Sequence, residues 1–204
     1  MDLVIEAASQ QAVKDYALKI IGKGVNLVIL SVGALLDKAF FKELMEKANV
    51  SGARIYIPSG AIGAIDLVKA ASIMNVDEIL LITRKPPKAF KGSPGASNID
   101  LNNLEKPQVL FEGNAEDVVK LFPANVNIAA TLSLASGGDV KVRVVADPTI
   151  DLNIHEIIIK GDFGEAKIIL RNTPSPANPR TSLLAILSTI RLIKEMINPA
   201  RIGT

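Results

Sequence analysis

Three short, mainly apolar runs separated by stretches of helical periodicity constrain the first part of this chain more than any other feature. The runs lie at residues 3–7, at 26–31 around Val28-Ile29-Leu30, and at 53–57. Between the first two, residues 10–21 carry Val13, Ala17 and Ile20 at helical spacing until Gly22 and Gly24 stop them, and a second helix is predicted over 37–48. A strand that is apolar on both faces must be covered on both. Such strands alternating with helices therefore imply a parallel sheet with helices packed on it.

The regime changes at Pro58-Ser59-Gly60-Ala61-Ile62-Gly63-Ala64. Beyond it the pattern predicts a helix over 64–74, a strand over 78–84, a polar loop over 85–102 and a short strand over 109–112. A helix over 124–135 follows, with Pro123 suited to its first turn and Gly137-Gly138 ending it. Strands at 140–146, 155–160 and 166–171 then succeed one another with little helix between them, which suggests an antiparallel sheet. A long helix over 178–195 closes the chain after Pro174-Ser175-Pro176. The expected class is α/β: part of a Rossmann-type parallel sheet over 1–57, then an α+β catalytic and dimerisation domain with a mainly antiparallel sheet over 58–177. Residues 178–204 are expected to pack back on the first domain.

Composition removes several functions. A net charge of +2 with scattered lysines and arginines offers no nucleic-acid surface. No apolar run approaches the ~20 residues needed to span a bilayer, and the opening Met1-Asp2-Leu3-Val4-Ile5-Glu6 lacks the marks of a secretion signal. Absent cysteine excludes disulfides and thiolate chemistry and makes a cytoplasmic address the default; with a single histidine, no metal cage is expected.

That histidine, His155, sits in Asp151-Leu152-Asn153-Ile154-His155-Glu156-Ile157-Ile158-Ile159. Strand alternation places it on one face with Asn153 and puts Glu156 on the other. An imidazole gives and takes protons near neutrality, though a lone histidine equally serves a structural role. Ser59-Gly60-Ala61-Ile62-Gly63-Ala64 reads as a ligand-accessible backbone bend or a tight interdomain turn. Ser31-Val32-Gly33-Ala34 and Ala7-Ala8-Ser9 end neighbouring strands, on the rim where open α/β sheets bind ligands. Asn125 is placed to cap a helix or to pair with a carboxamide. Thr83-Arg84-Lys85 is either a solvated strand end or a source of cations for a carboxylate.

Several blocks together resemble the L-aspartate dehydrogenase family. They are Glu6-Ala7-Ala8-Ser9-Gln10, Ser31-Val32-Gly33-Ala34, Ser59-Gly60-Ala61-Ile62-Gly63, Thr83-Arg84-Lys85 and Phe122-Pro123-Ala124-Asn125-Val126-Asn127. Further along come Val145-Ala146-Asp147, Asn153-Ile154-His155-Glu156, Gly161-Asp162-Phe163-Gly164-Glu165 and Asn178-Pro179-Arg180-Thr181-Ser182. The resemblance implies oxidation of L-aspartate with NAD or NADP to iminoaspartate, which hydrolyses to oxaloacetate and ammonia. It also implies a link from the imine to NAD biosynthesis, and a homodimer. His155 matches the family's catalytic histidine, and Ala61 and Asn125 match cofactor-contacting positions. Arg84 and Lys85 are candidate partners for substrate carboxylates, with the nicotinamide expected between the domains.

Family proteins begin with a strand, a glycine-rich turn of the G-x-G-x-x-G type and a helix, and no such motif occurs here. These glycines let the pyrophosphate sit on a helix N-terminus. The dinucleotide-binding part is therefore expected to be N-terminally truncated, with residues 3–7 as an apolar sheet edge. Either the true reading extends upstream of Met1, or this is a short product. Two rivals to the enzyme follow: a dimerisation or regulatory module without chemistry, and a dehydrogenase of another small acid.

Overall fold

The computed structural model describes residues 2–123, 126–178, 181–200 and 202–203. The chain forms two compact units, Met1–Pro58 and Ser59–Thr204.

In the first unit, β1 (Leu3–Glu6), β2 (Asn26–Ile29) and β3 (Ile55–Tyr56) make a parallel sheet in the order β1-β2-β3. Leu27, Val28 and Ile29 are buried, as a central strand covered on both faces requires. Helix α1 (Gln10–Ile21) starts at Ser9, whose hydroxyl accepts from the Ala12 N–H at 3.1 Å, and turns Val13, Ala17 and Ile21 inward. Helix α2 (Lys38–Ser51) starts at Asp37, which accepts from the Phe40 N–H and also pairs with Lys14 of α1 at 3.0 Å. Gly52, at φ 73°, ends α2 in the left-handed conformation that favours glycine. The small-residue stretch after β2 forms a 3-10 turn, Val32–Leu36, buried over its first four residues.

In the second unit, five strands lie in the order β5-β6-β4-β7-β8: β4 (Val76–Lys85), β5 (Gln108–Asn114), β6 (Lys141–Ala146), β7 (Asn153–Gly161) and β8 (Gly164–Asn172). Only β4 and β6 run parallel; the other three pairings are antiparallel. The expected combination of a parallel and a mainly antiparallel sheet is what the chain adopts. β7 and β8 form a hairpin through Gly161, where a Cβ would collide with the Asn75 carbonyl.

Helices α3 (Ile65–Ala71), α4 (Ala115–Leu121) and α5 (Asn127–Ser136) belong to this unit, with α5 packed on α3 and α4, and α4 also on β5 and β6. They bury Val68, Val118, Ala129, Ala130 and Leu132, while Phe122 meets Phe90 edge-on at 5.8 Å. Helix α4 was not anticipated, although its signals are local: Asn114 accepts from the Asp117 N–H, and Glu116 and Asp117 occupy the first turn. Helix α6 (Leu183–Met196) begins five residues later than its periodicity predicts, just after Ser182, which forms an isolated antiparallel bridge with Pro174.

Ala64 is the one described non-glycine residue with positive φ, at 64°. An L-residue there carries a steric penalty that glycine escapes. Ala64→Gly is therefore expected to stabilise the chain by about 0.5–1 kcal/mol after glycine's greater unfolded-state freedom is deducted. Denaturant titration checks this; a lower midpoint would show the bend to be unstrained.

Candidate active site

The covered face of the second sheet changes character along its length. On β4 the buried positions are Ile79, Leu81, Thr83 and Lys85, and on β7 they are Ile159, Ile157, His155 and Asn153. Alternation puts each set on one face, and Ile79 pairs with Ile159, Leu81 with Ile157 and Thr83 with His155. The next strand continues the trend, since His155 faces Leu170 and Asn153 faces the buried Asn172. Two apolar rungs thus give way to polar ones without any gain in exposure. A buried valine or isoleucine stabilises by roughly 1.5–3 kcal/mol, whereas buried polar groups cost free energy unless partnered. Such an exchange at one end of the core marks that end as the candidate site.

His155 is 1% exposed, and its Nδ1 lies 3.2 Å from the Thr83 hydroxyl. Burial, reinforced by the charge of Lys85, pulls the imidazole down to about 3, so it is neutral throughout the physiological range. Lys85 is 7% exposed, and burial brings its ammonium down to about 8. Asn153 donates from Nδ2 to the Ser182 hydroxyl at 3.4 Å, tying this patch to the start of α6.

The neighbouring cations separate. Lys85 shares the face of His155, whereas Arg84 lies on the opposite face, paired with Ile154 in register and ion-paired with Asp147 beyond the end of β6. Asp147 is fully buried and also accepts from the Thr149 N–H at 2.9 Å and the Thr149 hydroxyl at 2.6 Å. Burial pushes its carboxyl up, but the hydrogen bonds from Thr149 and Arg84 outweigh burial and leave it below its ordinary value. The geometry therefore joins Lys85 to His155 and does not join Arg84 to them.

The bend at 59–64 is held from two sides within the same unit. Asn172 donates from Nδ2 to the Ala61 carbonyl at 2.7 Å, and the Gly60 N–H donates to the Ser188 hydroxyl of α6 at 3.1 Å. A Cβ at Gly60 would meet nothing within 4 Å, so that side of the backbone faces open space. Asn125 lies outside the described residues. In the first unit, the Glu6 carboxylate accepts from the N–H groups of Ala8 at 2.7 Å, Ser9 at 2.9 Å and Ser31 at 3.0 Å, and from the Ser31 hydroxyl at 2.9 Å. Those donors are already satisfied by an internal anion. The 59–64 bend is thus where the described residues could hold the uncharged nicotinamide end of a dinucleotide, whereas the donors around Glu6 are already taken up within the chain.

The C-terminal aspartate dehydrogenase family model matches residues 66–196, and the NAD-binding domain of homoserine dehydrogenase matches residues 1–58. L-aspartate dehydrogenase of Methanosarcina barkeri is 45% identical over 208 residues, spanning 100% of this chain and 77% of that protein. The enzyme of Archaeoglobus fulgidus is 47% identical over 196 residues, covering 96% of this chain and 76% of the relative. The chain belongs to the aspartate dehydrogenase family. The crystal structure of aspartate dehydrogenase from Thermotoga maritima superposes with a TM-score of 0.85 at 34% identity, over 100% of this chain and 79% of that one. The family's block Thr83-Arg84-Lys85 splits between two faces here, and sequence reasoning gave no role to Thr83 or Asn172. The parity of Thr83 and Lys85 was readable. The signal that Asn172 matters was not, because its partner Ala61 lies 111 residues away.

Proposed function

We propose that the protein oxidises L-aspartate with NAD or NADP to iminoaspartate, which water converts to oxaloacetate and ammonia, and that His155 is its acid–base group. The observation that carries this reading is the buried Thr83–His155 pair beside Lys85 in a chain of this family. The dinucleotide, when bound, supplies a hydride acceptor for the substrate α-carbon; Ala61 holds its nicotinamide end, with Asn125 by family match.

A neutral imidazole has one N–H and one lone pair. In the tautomer whose Nδ1–H donates to the Thr83 hydroxyl oxygen, Nε2 carries the lone pair, and it takes a proton from the substrate ammonium or from the water that attacks the imine. Lys85 receives a substrate carboxylate, a desolvated charge pair of the strong kind. The carboxylate also offsets the lysine's field on the imidazole, so His155 becomes more basic when aspartate is present. Arg84, committed to Asp147 on the other face, is left out: Arg84→Ala is expected to change KM for aspartate by less than about twofold, as for a residue whose side chain does not reach the substrate. A large rise in that KM, measured in steady state, would return Arg84 to the substrate.

We further propose a homodimer, supported by the outer face of the second sheet. Leu80, Ile82, Ile154 and Ile158 are half-buried there and Ile169 is 48% exposed, among charges already paired within the chain such as Glu156 with Lys167 at 2.7 Å. Among the described residues no helix is long and apolar enough to cross a membrane, and we place the protein in the cytoplasm. Incubating the purified chain with L-aspartate and NAD or NADP, and following reduced dinucleotide by absorbance, tests the activity. No reduction by folded protein would leave the module reading, and faster reduction with another amino acid would change the substrate.

A further inference from the structure

Asn172 ends β8 with its side chain 5% exposed, on the same covered face as His155 and directly across from Asn153. Its amide orientation is fixed by chemistry: the Ala61 carbonyl only accepts, so the NH2 group faces it at 2.7 Å. A buried donor–acceptor pair of this length, closing a span of 111 residues, is costly to break because both groups are left without water. The neighbouring residues make the bond consequential. Gly60 is anchored to Ser188, and Ala64 holds a strained left-handed conformation, so the bend keeps its shape only while its contacts dictate it.

We infer that Asn172 is a positioning residue: its carboxamide sets the height of the Ala61 backbone relative to the His155 rung, and thereby the distance between the hydride acceptor and the substrate carbon. The inference rests on the assignment of the 59–64 bend to the nicotinamide end. Asn172 touches neither reactant; it acts through Ala61. Misplacement of reacting groups by about 1 Å can cost ~10²-fold in rate without loss of the fold.

The test compares Asn172→Ala and Asn172→Asp, the latter nearly isosteric but unable to donate, in the full chain. With L-aspartate deuterated at the α-carbon, both variants are expected to lose about 10–100-fold in kcat, show a larger isotope effect than the parent, and keep KM for aspartate within about threefold. A purely structural residue would lower the melting temperature and leave the isotope effect of the folded molecules untouched. Hydrogen exchange read over residues 59–64 needs no turnover: amides there are expected to exchange ~10-fold faster in either variant. Folded variants with parental exchange in the bend would overturn the tether. Faster exchange with unaltered kcat and isotope effect would overturn the positioning role. If the parent itself does not oxidise aspartate, the functional reading falls, and NADH titration judges Asn172 separately: about tenfold weaker binding is expected, and equal binding overturns it.

Discussion

His155→Ala is expected to reduce turnover of L-aspartate by ~10²–10⁴-fold, the usual worth of a positioned acid–base group, with dinucleotide affinity little changed. The same substitution has a second consequence in acid. The imidazole falls from 6.5 to about 3 on folding, so between those values the unfolded chain binds a proton that the folded chain refuses. Stability contributed by the neutral ring is therefore complete above pH 6.5 and declines by about 1.4 kcal/mol for each unit below it, until pH 3. The variant lacks this slope. Denaturation midpoints of the two proteins are expected to converge, and then cross or nearly meet, as pH is lowered from 7 to 4. Turnover equal to the parent's would remove His155 from the mechanism, and parallel pH profiles of stability would show that its ring titrates in the fold as it does in the unfolded chain.

The second large effect concerns Lys85. Lys85→Met is expected to lower kcat/KM for aspartate by about 10²-fold, since a substrate carboxylate in a desolvated site loses its cation. The variant is nevertheless expected to be more stable at pH 7. The fall of the ammonium from 10.5 to about 8 amounts to a folding penalty of about 3 kcal/mol, present in full below pH 8. Between pH 8 and 10.5 the unfolded chain holds the extra proton, so the parent gains stability with rising pH and the advantage of the variant shrinks. Urea titrations at pH 7 and pH 10 measure both signs. A destabilised variant at pH 7 would mean that the partners of Lys85 in the fold outweigh its burial; unimpaired kinetics would mean that the substrate carboxylates bind elsewhere. Stability given up at a residue that function needs is the expected trade at an active site.

The first unit was legible because each of its elements carries its own signal. Residues 10–21 were marked by helical spacing and by Gly22, and α1 occupies that span; β2 sits within the apolar run that announced it. In the second unit the strands were visible one by one, but their neighbours were not. β4 lies between β6 and β7, parallel to one and antiparallel to the other, and only long-range pairing energies decide that order. The site followed the same division. His155 stood out as the sole histidine, and its face followed from alternation. Its partner Thr83 lies 72 residues earlier on a strand whose register no local pattern reveals. The bond between Asn172 and Ala61 was likewise hidden, because an asparagine at a strand end is ordinarily a turn former.

The pleat of β4 decides which cation shares the buried face of His155, and it does so by parity alone. Arg84 and Lys85 are consecutive, yet one side chain is spent on Asp147 while the other enters the buried patch. Gain or loss of a single codon upstream within this strand would invert the assignment, sending the guanidinium into the interior and the amine outward. Conservative exchanges of side chains should thus be tolerated along β4 far better than any change in its length.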